Sequence, residues 1–131
     1  MATKKTSAMK KGILLSIGKL NNKAKLLPYI KKAITNTDFI FYSTDKTHKY
    51  LKDHNIKTSL VYKISQKKNP NIISLLQEKK LTFLINIPTQ ENKISDELTD
   101  GRMIRKAAIE KGIIPITDIE VAMLVLETLK K

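Results

Sequence analysis

Ser16, Thr44, Thr47 and Asn86 each stand at or just past the end of an apolar run, and each offers hydrogen bonds without carrying charge. Gly12-Ile13-Leu14-Leu15 runs into Ser16, and Phe39-Ile40-Phe41-Tyr42 runs into Ser43-Thr44-Asp45-Lys46-Thr47. Leu81-Thr82-Phe83-Leu84-Ile85 runs into Asn86. In an alternating strand–helix chain, the strand C-termini share one edge of the sheet, and ligands settle there where the strand order reverses. Thr44-x-x-Thr47 also opens a helix, so its hydroxyls can join the free N–H groups of a first turn in holding a phosphate or carboxylate. Anion binding is the chemistry these residue types suit. The plainer use of the same threonines is a helix cap, and on residues alone both uses stay open. Lys63, after the third strand, is either a charge for the same anion or a solvated strand end.

Elements of alternating type must position these residues. Residues 13–17 read as a buried strand, followed by a helix over 23–34 with Leu26, Leu27, Ile30 and Ile34 on one face. Pro28 is expected in or near the first turn of that helix, where its missing N–H costs little. Residues 39–43 form a second strand and 44–54 a helix that Asn55 stops. A third strand over 57–62, a loop over 66–71 and a short helix over 72–77 follow. The fourth strand, 81–87, is the most apolar. After it come a polar loop over 88–99, a helix over 100–111 stopped by Gly112, and a short fifth strand over 113–117. Asp118 caps a last helix over 119–129. Met103, Ile104, Ala107 and Ala108 are candidates for the core side of the fourth helix. Five such alternations predict a three-layer α/β/α domain with a five-stranded parallel sheet. At 131 residues the chain makes one domain, 12–131, behind a flexible basic tail over 1–11.

Composition narrows the function classes. The net charge is +13, but the positive residues are almost all lysine, scattered from Lys4 to Lys131, with arginine only at Arg102 and Arg105. Clustered charge, arginine forks and interleaved aromatics would mark a nucleic-acid binder. The aromatic residues here lie largely in strand-like runs, which argues against nucleic acid as a partner. Cysteine is absent, which excludes disulfides, thiolate catalysis and cysteine-ligated metals and suits a cytoplasmic protein. His48 and His54 read as solvent-facing helix residues without spaced partners, a poor basis for a metal site. Arg102 and Arg105, one turn apart, are expected to pair with Asp100, Glu97 or Glu110. No run approaches the roughly 20 apolar residues of a membrane span, and the lysine-bearing N-terminus lacks the apolar core of a secretory signal.

Several short motifs, weak singly, gain specificity from their order. Leu15-Ser16-Ile17, Tyr42-Ser43-Thr44-x-x-Thr47, Val61-Tyr62-Lys63, Asn69-Pro70-Asn71-Ile72, Leu84-Ile85-Asn86-x-Pro88 and Arg102-Met-Ile-Arg105-Lys106-Ala-Ala follow one another along the chain. Together they resemble the methylglyoxal-synthase-like domain, and more narrowly the version at the C-terminus of the carbamoyl-phosphate synthetase large subunit. The resemblance covers roughly residues 11–129. It implies a sheet order like 3-2-1-4-5 and a ligand site at the strand C-termini. In the synthetase such a domain is not catalytic and needs no cofactor or metal. It binds a small anionic effector, either a nucleoside monophosphate or N-acetylglutamate, and biases distant active sites. By position, the effector contacts would fall on Ser16, Lys23, Thr44, Thr47, Lys63 and Asn86, with Thr89 as a further polar contact. Lys19, Lys46, Lys67 and Lys68 would raise the local potential. The partner implied is the rest of a synthetase polypeptide or a second copy of the chain. The sequence departs from the pattern at Lys46, where many relatives have glycine, at the 66–69 loop, and in the length of 89–99.

The rival within the same resemblance is methylglyoxal synthase itself, which removes phosphate from dihydroxyacetone phosphate. That reaction needs a carboxylate base near the substrate carbon and electrophilic help at its oxygen. Residues 60–77, where the pattern has its aspartate, contain neither Asp nor Glu, and no histidine follows the first or fourth strand. Asp45 beside Lys46 suits a helix start better than a tuned base.

Overall fold

The computed structural model describes residues 11–63, 66–88 and 100–129. Its elements alternate along the chain: β1 (Gly12–Ile17), α1 (Leu20–Asn36), β2 (Ile40–Thr44), α2 (Asp45–Asp53), β3 (Ser59–Val61), α3 (Ile72–Gln77), β4 (Phe83–Ile87), α4 (Asp100–Glu110), β5 (Pro115–Ile116) and α5 (Ile119–Thr128). The strands form one sheet in the order β3-β2-β1-β4-β5, and every pairing is parallel. The order reverses at β1, so the crevice beyond its C-terminus lies between β2 and β4.

The central strand is apolar on both faces because both faces are covered. Ile13, Leu15 and Ile17 point to one side and pack with Leu26, Ile30 and Ala33 of α1, Leu51 of α2, and Ala122 and Leu126 of α5. Leu14 points to the other, with Tyr42, Val61 and Leu84, against Ile72, Leu75 and Leu76 of α3 and Ile104 and Ala108 of α4. Two cores on opposite sides of a single sheet make the three layers that the strand–helix alternation predicts.

The local stops follow backbone chemistry. Asn55 takes φ 65° and Gly112 φ 82°, both in the left-handed region that ends helices. The Asp118 carboxylate accepts from Val121 N at 2.9 Å and caps α5. Asn71 caps α3 by accepting from Ser74 N at 3.1 Å, while Ser74 Oγ accepts from Asn71 N at 2.9 Å.

Two local expectations need correction. Helix α1 starts at Leu20, so Pro28 sits well inside it rather than in its first turn. Pro28 is exposed, and the buried Leu26, Ile30 and Ala33 on the opposite side outweigh the one backbone bond it forfeits. Met103 is 39% exposed, whereas Ile104 and Ala108 are buried; α4 turns a narrower stripe to the sheet than its apolar run suggests. The expected tail, except for Lys11, and the 89–99 loop lie outside the described residues.

Candidate functional site

Strand register brings the predicted residues together. β1 pairs with β4 so that Ser16 lies beside Asn86, and with β2 so that Leu15 lies beside Ser43. One residue further along that register, Ser16 lies beside Thr44, which itself pairs with Val61 of β3. Thr44, Ser16 and Asn86 therefore form one row across three neighbouring strands. Adjacent strands are about 4.8 Å apart, so the row spans about 10 Å. Residues paired in register point to the same face. Here it is the face of Leu14 and Leu84, toward α3 and α4.

Thr44 is 4% exposed and occupies the N-cap position of α2, yet its side chain makes no capping bond. Its hydroxyl is not spent on the helix start, which removes the plainer of the two uses open at the sequence level.

Thr47 has the opposite fate. It is 2% exposed; its Oγ1 accepts from Ile17 N at 3.0 Å and lies 3.4 Å from Ile17 O as donor. β2 gives way to α2 just where Ile17 would need its next ladder partner, and the Thr47 hydroxyl takes that place. On the other side, Gly18 N continues the ladder to Ile87 O at 2.8 Å. Thr47 thus clamps the first turn of α2 to the end of β1, and with its O–H turned to Ile17 O it has no donor left for the anion contact expected of it.

Two helix N-termini meet this edge. α2 follows β2 without a break, and α1 follows β1 after Gly18 and Lys19. Lys19 holds φ 62° and ψ 138°, a state that glycine adopts more readily, and makes no side-chain cap. α1 has no acidic residue in its first turn. Its positive end carries Lys19 and Lys23 instead, an arrangement that costs free energy unless an anion is near.

Lys23, half-buried at the start of α1, has its ammonium held below the ordinary lysine range, first by burial and then by the charges of Lys46 and Lys63. Lys46, in the first turn of α2, and Lys63, after β3, therefore both act on Lys23. Among the described residues none of the three joins an ion pair. Lys63 is half-buried, and its backbone N donates to Gln66 Oε1 at 2.8 Å. Gln66 in turn donates from Nε2 to Asp45 Oδ2 at 3.4 Å, which links the exit of β3 to the first turn of α2. Asp45 thus starts its helix and holds a loop.

Two further residues play parts that sequence reasoning missed. Arg105 is half-buried and donates from Nη1 to Asn86 Oδ1 at 2.6 Å, a contact that the expected pairing with Asp100, Glu97 or Glu110 does not include. Its i+4 spacing from Gly101 and i+1 from Ile104 gave no hint, because the contact is long-range. His48 is half-buried rather than solvent-facing; its Nδ1 lies 3.3 Å from Ser43 Oγ and 3.1 Å from Thr58 Oγ1. Ser43 and Thr58 also share a hydrogen bond, so the three tie α2 to β2 and to the approach to β3. His54 is exposed as expected, with Nδ1 donating to Tyr50 O at 2.8 Å. Among the described residues no group of three or more metal-ligating side chains occurs, and no helix is long and apolar enough to cross a membrane. Thr89, the last predicted contact, lies outside the described residues.

With this geometry in hand, known proteins give a consistent comparison. A family model described as an MGS-like domain matches residues 25–117. The carbamoyl phosphate synthase large chain of Clostridium botulinum (strain Alaska E43 / Type E3) is 34% identical over 110 residues, which is 84% of this chain and 10% of that one. The corresponding large chain of Agathobacter rectalis is 37% identical over 93 residues, 71% of this chain and 8% of that one. The C-terminal section of the large chain from Methanocaldococcus jannaschii is 36% identical over 90 residues, covering 69% and 14%. This chain thus spans about a tenth of the length of the large chains it matches. In fold it is similar to the crystal structure of methylglyoxal synthase from Elizabethkingia anophelis NUHP1, with a TM-score of 0.60 over 91% of this chain and 78% of that one. At 13% sequence identity, that likeness speaks for the fold alone.

Proposed function

This chain belongs to the MGS-like domain family, and from that premise we propose that it is a non-catalytic regulatory domain that binds a small anionic effector at its strand ends. The observation that carries the reading is the row Thr44–Ser16–Asn86, with Lys23 near it repelled by the charges of Lys46 and Lys63. A bound anion offsets that repulsion and completes the hydrogen bonds of the two hydroxyls and the amide. It also takes the free N–H groups at the starts of α1 and α2. The Thr47 clamp keeps the second of those starts in register with the row.

Binding without chemistry is the reading that the side chains favour. Residues 60–77 hold no carboxylate to serve as a base, and His48 is engaged with Ser43 and Thr58. As a regulator the domain needs a partner with two states that the anion binds unequally. The remainder of a carbamoyl phosphate synthase large chain is the partner that the relatives suggest; a second copy of this chain is the other.

Titration calorimetry tests the reading with inorganic phosphate, a nucleoside monophosphate, N-acetylglutamate and dihydroxyacetone phosphate. Saturable binding of one of them, weakened about tenfold by Thr44→Ala, is expected for the loss of one hydrogen bond to a charged group. Release of methylglyoxal from dihydroxyacetone phosphate would replace regulation with catalysis. No binding by any of the four would remove the proposal.

A further inference from the structure

Asn86 ends its strand almost fully buried, at 3% exposure, and the group that meets it is a guanidinium from a different layer. Arg105, in the second turn of α4, donates from Nη1 to Oδ1 at 2.6 Å. A guanidinium has donors and no acceptor, so the amide atom it faces must be the oxygen. That fixes which way the Asn86 amide points. With the oxygen turned to Arg105, the NH2 group is the end of the amide left for the row shared with Ser16 and Thr44.

We infer that Arg105 is a positioning residue that turns the Asn86 oxygen to itself and leaves the NH2 group to serve the row, so that the strand-end row favours ligands presenting acceptor oxygens. An unrestrained asparagine serves donors and acceptors equally; one pinned through its oxygen does not. The inference rests on the proposed function for its ligand, though not for its geometry. Arg105 also sets a cation on the β4 side of the row, while Lys46 and Lys63 stand on the β2 and β3 side. Phosphate or carboxylate oxygens suit such a row; an ammonium group, which brings only donors, does not.

The test combines side-chain NMR with phosphate titration on the wild type and on Asn86→Ala, Arg105→Ala, the double variant and Asn86→Asp. The wild-type Asn86 NH2 pair is expected to be well dispersed, and to collapse toward free-amide positions in Arg105→Ala. Phosphate affinity is expected to fall about tenfold in each alanine variant, and no further in the double variant, because residues acting through one contact are non-additive. Asn86→Asp keeps a partner for Arg105 and therefore the fold, but replaces the donor by an acceptor; phosphate binding is expected to fall at least tenfold. An unchanged NH2 pair in Arg105→Ala, additive losses, or wild-type phosphate binding by Asn86→Asp would each overturn the inference. If the wild type binds no anion, the proposed function fails, while the NH2 pair still decides whether Arg105 positions Asn86.

Discussion

Thr47→Val isolates the clamp between α2 and β1, since it keeps shape and removes the hydroxyl. In the wild type that hydroxyl is the partner of the Ile17 N–H at 3.0 Å, in a site where Thr47 is 2% exposed. The substitution leaves a buried backbone donor unpaired, which costs about 1–3 kcal/mol. The extra methyl group recovers little, because it faces a polar backbone. A net loss of about 2 kcal/mol is expected, or roughly 6–10 °C in Tm for a domain of this size. Thr47→Ser keeps the hydroxyl and loses only a methyl group, about 1 kcal/mol. Urea unfolding followed by circular dichroism measures both. The clamp predicts the order wild type, Ser, Val in decreasing stability. A Val variant as stable as the wild type, or a Ser variant as weak as Val, would refute it. Amide exchange adds a local check: Ile17 N–H should lose protection in Val and keep it in Ser.

Gly12→Ala should cost about 2–3 kcal/mol, since an added Cβ would stand 2.2 Å from Lys80 O and 2.9 Å from Tyr42 Cε2; an unchanged urea midpoint would show that the approach of Lys80 to β1 is not so close. Lys46→Met should raise the pKa of Lys23, because it removes one of the charges that depress it. The sign for stability follows. A folded lysine that gives up its proton early leaves the unfolded state with more protons bound, so stability rises with pH through the window just below 10.5. Lys46→Met should flatten that rise and weaken phosphate binding together. Side-chain NMR titration of Lys23 and calorimetry read the two effects, and an unmoved Lys23 would separate Lys46 from the cluster.

The sheet was legible because its signals are local and repeated. Ile13–Ile17 and the Phe83–Ile87 run are apolar except for Ser16 and Asn86 near their ends, as strands covered on both faces must be, and Asn55, Gly112 and Asp118 each act within a few residues of themselves. Pro28 was misplaced because the Leu20-Asn21-Asn22 start carries little periodicity, and the helix begins a turn and a half before the first residue it buries, Leu26. At the site, Ser16, Thr44 and Asn86 could be read from strand ends alone, since parallel register aligns such ends automatically. The roles of Thr47, His48 and Arg105 could not. Each depends on a partner 30, 10 or 19 residues away, and sequence spacing does not encode which of several donors wins such a contact.

The most direct measurement is an amide NMR titration of the whole chain with inorganic phosphate. Anion binding at the strand C-termini predicts saturable shifts at Ser16, Thr44 and Asn86 and at the first turns of α1 and α2, with the opposite strand ends at Gly12, Ile40 and Phe83 unmoved. Weak, unsaturable shifts scattered over exposed lysines, or a saturable site centred on any other surface, would contradict it.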